Sequence, residues 1–93
     1  MPESYAAVRE AVLNGVRGML ISHLKLDLEP DDIDPDTPLF GTGLALDSID
    51  AVEVVIALET TFGVEAPADR AAIPHLRTVN TLVDLVLAHQ GVQ

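Results

Sequence analysis

Ser48 is the residue whose neighbours best equip it for chemistry in this 93-residue chain. It lies between Asp47 and Asp50, directly before an apolar segment with helical periodicity, so it falls at an expected helix start. The first N–H groups of a helix lack backbone partners and carry partial positive charge, which favours an attached or bound phosphate. From these residues alone, an ordinary helix-starting serine is the simpler interpretation, and a phosphate-bearing serine is the alternative.

Residue types that carry catalysis do not form a recognisable constellation. Ser48 is not in a Gly-x-Ser-x-Gly elbow, and the three histidines are dispersed at positions 23, 75 and 89. The chain has no cysteine, which excludes disulfides, thiolate metal sites and a cysteine nucleophile. We therefore expect the protein not to be an enzyme, and each histidine to be a surface or helix-end residue.

Three alternating aspartates at positions 32, 34 and 36 resemble the start of a calcium loop. However, Thr37 stands where such a loop needs glycine, and Pro35 and Pro38 interrupt the segment. We expect no dedicated metal site.

The negative charge of the protein is concentrated in the middle of the chain. Formal net charge is −10, and residues 26–69 contain twelve Asp or Glu and no Lys or Arg. A segment of one sign repels nucleic acid and anionic membrane and attracts basic protein surfaces. The alternative is a face that only maintains solubility. We expect no nucleic-acid or membrane partner.

Length and composition indicate one domain over residues 1–93. Hydrophobic residues make up 48% of the chain and aromatic residues only 3%, so Leu, Val, Ile and Ala must build the core, as in packed helices. The start of the chain lacks the basic and apolar regions of a secretion signal, and no apolar stretch is long enough to cross a bilayer. We expect a cytoplasmic monomer.

Apolar periodicity predicts an all-α fold, a small antiparallel four-helix bundle of three main helices and one short one. The first helix is predicted to start after a Ser4 cap and to end near Leu26. The last is predicted to start after a Thr78 cap, and the short one to lie within residues 68–73. In the first helix, apolar spacing predicts one core stripe: Tyr5, Val8, Val12, Val16, Leu20 and Leu24.

Residues 27–46 are predicted to form a long ordered loop between the first two main helices. Three prolines and two glycines exclude a continuous helix there. A structureless loop of this length would be unusual in a compact domain, so we expect apolar side chains to hold it on the core and a short helical turn within it. These side chains are Ile33, Leu39, Phe40, Leu44 and Leu46.

The second helix is predicted to start at Asp47, whose side chain can cap the first free N–H groups, and to run to about Phe62, where Gly63 ends it. It carries two apolar stripes. The core stripe comprises Ala51, Val54, Val55, Leu58 and Phe62. The second stripe comprises Ile49, Val52 and Ile56, bordered by Glu53 and Glu59. An apolar strip rimmed by carboxylates suits docking into a basic-edged groove. The alternative is that the second stripe is peripheral core.

The sequence around Ser48 resembles the attachment segment of acyl carrier proteins. The resemblance lies in Asp-Ser-Ile-Asp at residues 47–50 and in the flanking residues 43–46 and 51–59. It continues through residues 62–67 and more loosely through the last helix, so it covers most of the chain. The family motif is Asp-Ser-Leu, in which this chain has isoleucine for leucine, and the region after residue 67 is slightly longer than in housekeeping fatty-acid carriers.

This resemblance implies a four-helix fold and a non-catalytic carrier role. A phosphopantetheinyl transferase would attach 4′-phosphopantetheine from coenzyme A to Ser48, within the motif that includes Asp47, and the arm would hold acyl groups as thioesters. Acyl-loading and acyl-processing enzymes of fatty-acid, polyketide or related biosynthesis would dock through basic patches. By position, the docking residues would be Ile49, Asp50, Val52, Glu53, Ile56 and Glu59.

Two alternatives to an acyl carrier stay open. Peptidyl carriers resemble Gly-Gly-His-Ser or Gly-Gly-Asp-Ser here, whereas residues 45–48 read Ala-Leu-Asp-Ser, which is nearer the acyl type. A discrete aminoacyl or peptidyl carrier nevertheless remains an alternative, and so does an unmodified helical adaptor that uses the same acidic helix. No flanking domain suggests a multimodular synthase, so a discrete carrier is expected.

Overall fold

The protein is described here by a computed structural model covering residues 4–65 and 76–91, with only the backbone at Ser48. Within these ranges, three α-helices follow one another, with a short 3₁₀ turn, Pro30–Asp32, in the connection between the first two. The helices are α1 (Tyr5–Leu24), α2 (Ser48–Phe62) and α3 (Val79–His89).

The predicted all-α bundle is confirmed, as is the expected helical turn in the long loop. The short helix predicted within residues 68–73 lies outside the described residues. None of the helices in the described ranges is long and apolar enough to cross a membrane.

The ends of α1 are set by local hydrogen bonds. The Ser4 hydroxyl accepts a hydrogen bond from the Ala7 N–H at 3.1 Å, which confirms the predicted cap. The helix ends at Leu24 rather than near Leu26, because Lys25 adopts a left-handed conformation with φ of 52° and donates its N–H to the Ile21 carbonyl. This geometry closes the helix and turns the chain into the loop.

Helix α1 is the common packing partner of α2 and α3. Its buried side chains are Val12, Val16, Met19 and Leu20. Tyr5, which the periodicity placed on the core stripe, is exposed, and its hydroxyl accepts a hydrogen bond from Arg9 at 3.3 Å. The first turn of α1 therefore lies at the edge of the core.

Arg9 links α1 to α3 through its guanidinium. Its Nη1 donates to Asp84 Oδ1 at 2.7 Å. This hydrogen bond raises the pKa of Arg9 further above its already high ordinary value, so the guanidinium is charged. The pair is largely solvent-exposed, so it contributes about 1 kcal/mol or less to folding.

Apolar burial holds the long loop on the bundle, as predicted. Ile33, Leu39 and Leu46 are buried, while Phe40 and Leu44 are half-buried against the same core. The Arg17 side chain of α1 also donates a hydrogen bond to the carbonyl of Ile33 at 2.8 Å.

The backbone of the loop pairs with the start of α3 and with itself. The Leu39 N–H donates to the Arg77 carbonyl at 3.0 Å, and the Val79 N–H donates to the Thr37 carbonyl at 3.2 Å. On its other side, the Leu39 carbonyl accepts from the Leu46 N–H at 2.8 Å. The loop is therefore an ordered element that joins α3 to the residues directly before α2.

A close backbone approach makes glycine necessary at position 43. Gly43 has φ of +63°, and a Cβ there would overlap the carbonyl oxygen of Pro38 and meet Thr37 Cγ2 at 2.9 Å. That same carbonyl accepts the Leu44 N–H at 3.0 Å. Gly41 also has a positive φ, of +76°, but a Cβ there would meet no other heavy atom within 4 Å.

Replacing these two glycines should separate backbone strain from steric overlap. Gly41→Ala should lower the free energy of unfolding by about 1 kcal/mol, the approximate cost of a left-handed alanine. Gly43→Ala should lower it by roughly 3 kcal/mol, since the overlap with Pro38 adds to the same strain. Urea denaturation of both variants measures the difference. Equal losses would contradict the close approach seen at Gly43.

Candidate attachment site

Reciprocal hydrogen bonds fix the start of α2. Asp47 Oδ1 accepts the N–H groups of Ile49 and Asp50, each at 3.0 Å. In return, Asp50 Oδ2 accepts the Asp47 N–H at 3.0 Å, which completes a capping box. The predicted cap at Asp47 is confirmed, and Ser48 is the first residue of the helix.

The capping role of Asp50 was missed from the sequence, although its signal was present. An acidic residue three positions after an Asp cap is the spacing of a capping box. Asp50 is half-buried and engaged at the helix start. Its assignment as a partner-binding residue stays a prediction.

The capping box also changes what this helix start offers to a phosphate. Asp47 occupies two of the N–H groups that the sequence interpretation left for a phosphate, and it adds a negative charge beside Ser48. Those N–H groups therefore do not form an anion-capturing pocket. A phosphate held there by a covalent ester to a hydroxyl needs no such pocket, so the residues present fit a covalent phosphoester.

The chain leaves the core just before Ser48. Leu46 is buried, Asp47 is exposed, and the Ile49 side chain is 74% exposed. Ala45 makes this turn with φ of 54°, a left-handed conformation that costs an alanine about 1 kcal/mol. The strain is retained because Leu46 is buried and its N–H is paired with Leu39. Nothing in the sequence signalled this conformation at Ala45.

The face of α2 predicted to be core is confirmed. Val54, Val55 and Leu58 are buried, and Ala51 and Phe62 are half-buried against the core. Ala57 is buried as well, which the five-residue stripe did not include. The helix ends at Gly63, with φ of 70°, as predicted.

The second stripe of α2 faces solvent. Val52 is 51% exposed and Ile56 is 46% exposed, and Ile49 is more exposed than either. The alternative interpretation, in which these residues are peripheral core, is wrong. Glu53 and Glu59 are exposed as well. We refer to Ile49, Val52 and Ile56 as the exposed stripe.

The three alternating aspartates of the loop each have a separate structural role. Asp32 Oδ2 accepts the Glu29 N–H at 3.0 Å, and Asp34 Oδ1 accepts the Asp36 N–H at 2.8 Å. Asp36 Oδ1 accepts from the Asn80 side chain at 2.7 Å. In the part of the chain that the structure describes, no group of three or more acidic or histidine residues is arranged to hold a metal ion.

The two histidines within the described residues lie at helix ends. His23 and His89 lie in the last turns of α1 and α3. Both are helix-end residues, as predicted, and His75 lies outside the described residues.

The fold and the site define a small helical domain whose second helix begins at an aspartate-capped serine and exposes an apolar stripe between carboxylates. The family model described as "Phosphopantetheine attachment site" matches residues 15–86. The chain is 34% identical to the acyl carrier protein of Lactobacillus acidophilus and 38% identical to that of Lactobacillus johnsonii, in each case over 88% of this chain and 96% of the relative. It is 35% identical to the acyl carrier protein of Thermosynechococcus vestitus, over 81% of this chain and 86% of the relative.

This chain therefore belongs to the acyl carrier protein family. Membership gives it an acyl carrier role and a covalently bound 4′-phosphopantetheine prosthetic group. The family resemblance stated from residues 43–59 is confirmed.

Removing the cap should weaken the start of α2. Asp47→Ala should lower the free energy of unfolding by about 1 kcal/mol, because two helix N–H groups lose their acceptor. Asp47→Asn keeps a side-chain oxygen and should retain most of that stability. Chemical denaturation measures both variants. If asparagine costs as much as alanine, the hydrogen bonds of Asp47 are not what stabilises this helix start.

Proposed function

We propose that this chain carries acyl intermediates of fatty-acid, polyketide or related biosynthesis on a phosphopantetheine arm attached to the Ser48 hydroxyl. The observation that carries the proposal is that Ser48 heads α2, directly after the Asp47 cap and beside the exposed Ile49. A residue at the first position of a capped helix has a fixed backbone. A transferase that recognises this helix end would therefore meet Ser48 in a reproducible place.

The chain's own residues supply position and recognition rather than bond-breaking chemistry. When bound, phosphopantetheine supplies a flexible arm with a terminal thiol that holds an acyl group as a thioester. The capping box holds the helix start, and buried Leu46 anchors the residues before it. Attachment to a fixed helix end keeps a cargo at high effective concentration for any partner that docks nearby.

The exposed stripe and its acidic rim are the proposed docking face. Three branched apolar side chains can enter an apolar groove, while Glu53 and Glu59 meet Lys or Arg at its edge. Charge steering of this kind accelerates encounter and gives salt-sensitive, readily reversed binding. Such binding suits a carrier that must visit a phosphopantetheinyl transferase, then loading enzymes, then processing enzymes.

The same face also suits the two alternatives to an acyl carrier. Attachment of the prosthetic group distinguishes a carrier from the adaptor, and the cargo distinguishes an acyl carrier from an aminoacyl carrier. An unmodified adaptor would use the exposed stripe to hold a partner but would not accept a prosthetic group. An aminoacyl carrier would accept the group and then a different cargo. The monomeric state and cytoplasmic location stay predictions.

Intact mass after incubation with coenzyme A and a broad-specificity phosphopantetheinyl transferase tests the attachment. The wild-type chain should gain the mass of one phosphopantetheine, and Ser48→Ala should gain none. Ser22→Ala, which removes an exposed serine from α1, should be modified like the wild type. Absence of a gain in the wild type would favour the adaptor.

The cargo is tested on the modified protein. Loading with malonyl, long-chain acyl and aminoacyl donors should give an acyl rather than an aminoacyl thioester. Preferential aminoacyl loading would replace the acyl proposal by the aminoacyl carrier.

Charge reversal at the acidic rim tests the docking face. The Glu53→Lys/Glu59→Lys variant should raise the transferase KM for the carrier by about tenfold at low salt, because two exposed attractive contacts become repulsive. Its unfolding midpoint should not fall, since both side chains are exposed. The measurements are steady-state kinetics and thermal unfolding.

A matched variant controls for net charge in this experiment. Glu10→Lys/Asp31→Lys changes the charge equally at two exposed positions on α1 and the 3₁₀ turn. Its KM should change much less. Equal effects of the two double variants would mean that overall charge, rather than this face of α2, governs docking.

A further inference from the structure

Asn80 joins three parts of the molecule at the start of α3. Its side-chain Oδ1 accepts a hydrogen bond from Arg9 Nη2 of α1 at 3.1 Å. Its Nδ2 donates to Asp36 Oδ1 in the loop at 2.7 Å, and its backbone N–H donates to the Pro35 carbonyl at 2.8 Å. One residue thus connects α1, α3 and the loop.

The loop continues from this point toward Ser48 through further backbone hydrogen bonds. Directly after Asp36, the Thr37 carbonyl accepts the Val79 N–H. Leu39 then bonds to Arg77 on one side and to Leu46 on the other, two residues before Ser48. Asn80 therefore lies at one end of a continuous run of hydrogen bonds that leads to the start of α2.

The chemistry of the amide matters at position 80. Asn80 must accept a hydrogen bond from a guanidinium and donate one to a carboxylate, and a side-chain amide does both. An aspartate could accept from Arg9 but could not donate to Asp36, and would set two negative charges together. The bond to Asp36 is short and has a carboxylate acceptor, which strengthens it although it lies at the surface.

We propose that Asn80 is a positioning residue for the modification of Ser48. By fastening the loop to α1 and α3, it holds residues 37–46 in the register that sets where α2 begins. This inference rests on the proposed attachment at Ser48. It adds that a residue remote in sequence controls how efficiently the transferase uses that serine.

The test compares Asn80→Asp with a swapped pair, Asp36→Asn/Asn80→Asp. Asn80→Asp breaks the side-chain bond to Asp36 but keeps the backbone bond to Pro35 and an acceptor for Arg9. A carboxylate in the first turn of α3 is favoured by the helix dipole, so the variant should fold. In the swapped pair, the asparagine at position 36 can donate to the aspartate at position 80. The net charge is then that of the wild type.

Two quantities are measured for each variant: amide hydrogen exchange and the rate of phosphopantetheine transfer. In Asn80→Asp, hydrogen exchange at the amides of Leu39 and Leu46 should accelerate by about tenfold, because a charge-assisted hydrogen bond that limits local opening is lost. The kcat/KM for phosphopantetheine transfer should fall by roughly fivefold, since small displacements of a reacting group slow transfer strongly. The swapped pair should recover both.

Asp84→Asn is the matched control. It weakens the same α1–α3 connection at Arg9 but leaves the Asn80–Asp36 bond in place. It should lower the thermal midpoint slightly while leaving the exchange of Leu46 and the transfer rate at wild-type values. If Asn80 contributed only to general stability, the exchange rate and the transfer rate would both change in proportion to the thermal midpoint in every variant, Asp84→Asn included.

The outcomes distinguish this inference from the proposed function. If wild type is modified and Asn80→Asp is modified equally fast, the positioning role is overturned while attachment at Ser48 stands. Failure of the swapped pair to recover either readout also overturns it. If the wild type itself is not modified, the proposed function is wrong, and so is the role of Asn80 in modification. Hydrogen exchange then shows independently whether Asn80 holds the loop in place.

Discussion

Burial of Ile33, Leu39 and Leu46 fixes the long connection between α1 and α2, and the rest of the structure depends on it. A segment without regular secondary structure can be buried only if its backbone polar groups find partners. Here those partners are the residues that start α3 and the loop itself, through the bonds of Leu39 to Arg77 and to Leu46. The loop, the start of α3 and the start of α2 therefore form one connected unit.

Helix α2 has a buried face and a solvent face because its main helical neighbour is α1. Val54, Val55 and Leu58 fill that contact. The opposite side is left with the exposed stripe and two carboxylates. Like charges around this stripe disfavour pairing between copies of the chain, whereas a basic partner gains both apolar contact and charge attraction. One packing constraint thus produces the surface proposed for docking.

The start of α2 combines stability with access. Asp47 and Asp50 satisfy the helix start by their own reciprocal bonds, so the helix needs no external anion to be stable there. The same carboxylates make the position unattractive to free phosphate ions. A covalent phosphoester is held regardless of that repulsion.

The sequence by itself determined the helices and their faces, because capping and periodicity are local. Ser4, Asp47, Gly63 and Thr78 set helix boundaries within a few residues of their own positions, and apolar spacing along α2 separated its two faces. Only the tertiary structure decided that the second stripe is exposed rather than peripheral core, since this depends on which neighbours cover it. It also decided the left-handed turn at Ala45, the close approach at Gly43 and the joining of Arg9, Asn80 and Asp36. The geometry at Gly43 and Ala45 involves residues near in sequence, but it depends on how the buried loop folds back on itself. Arg9 and Asp36 lie 71 and 44 positions from Asn80, and no local pattern encodes a contact over such a separation.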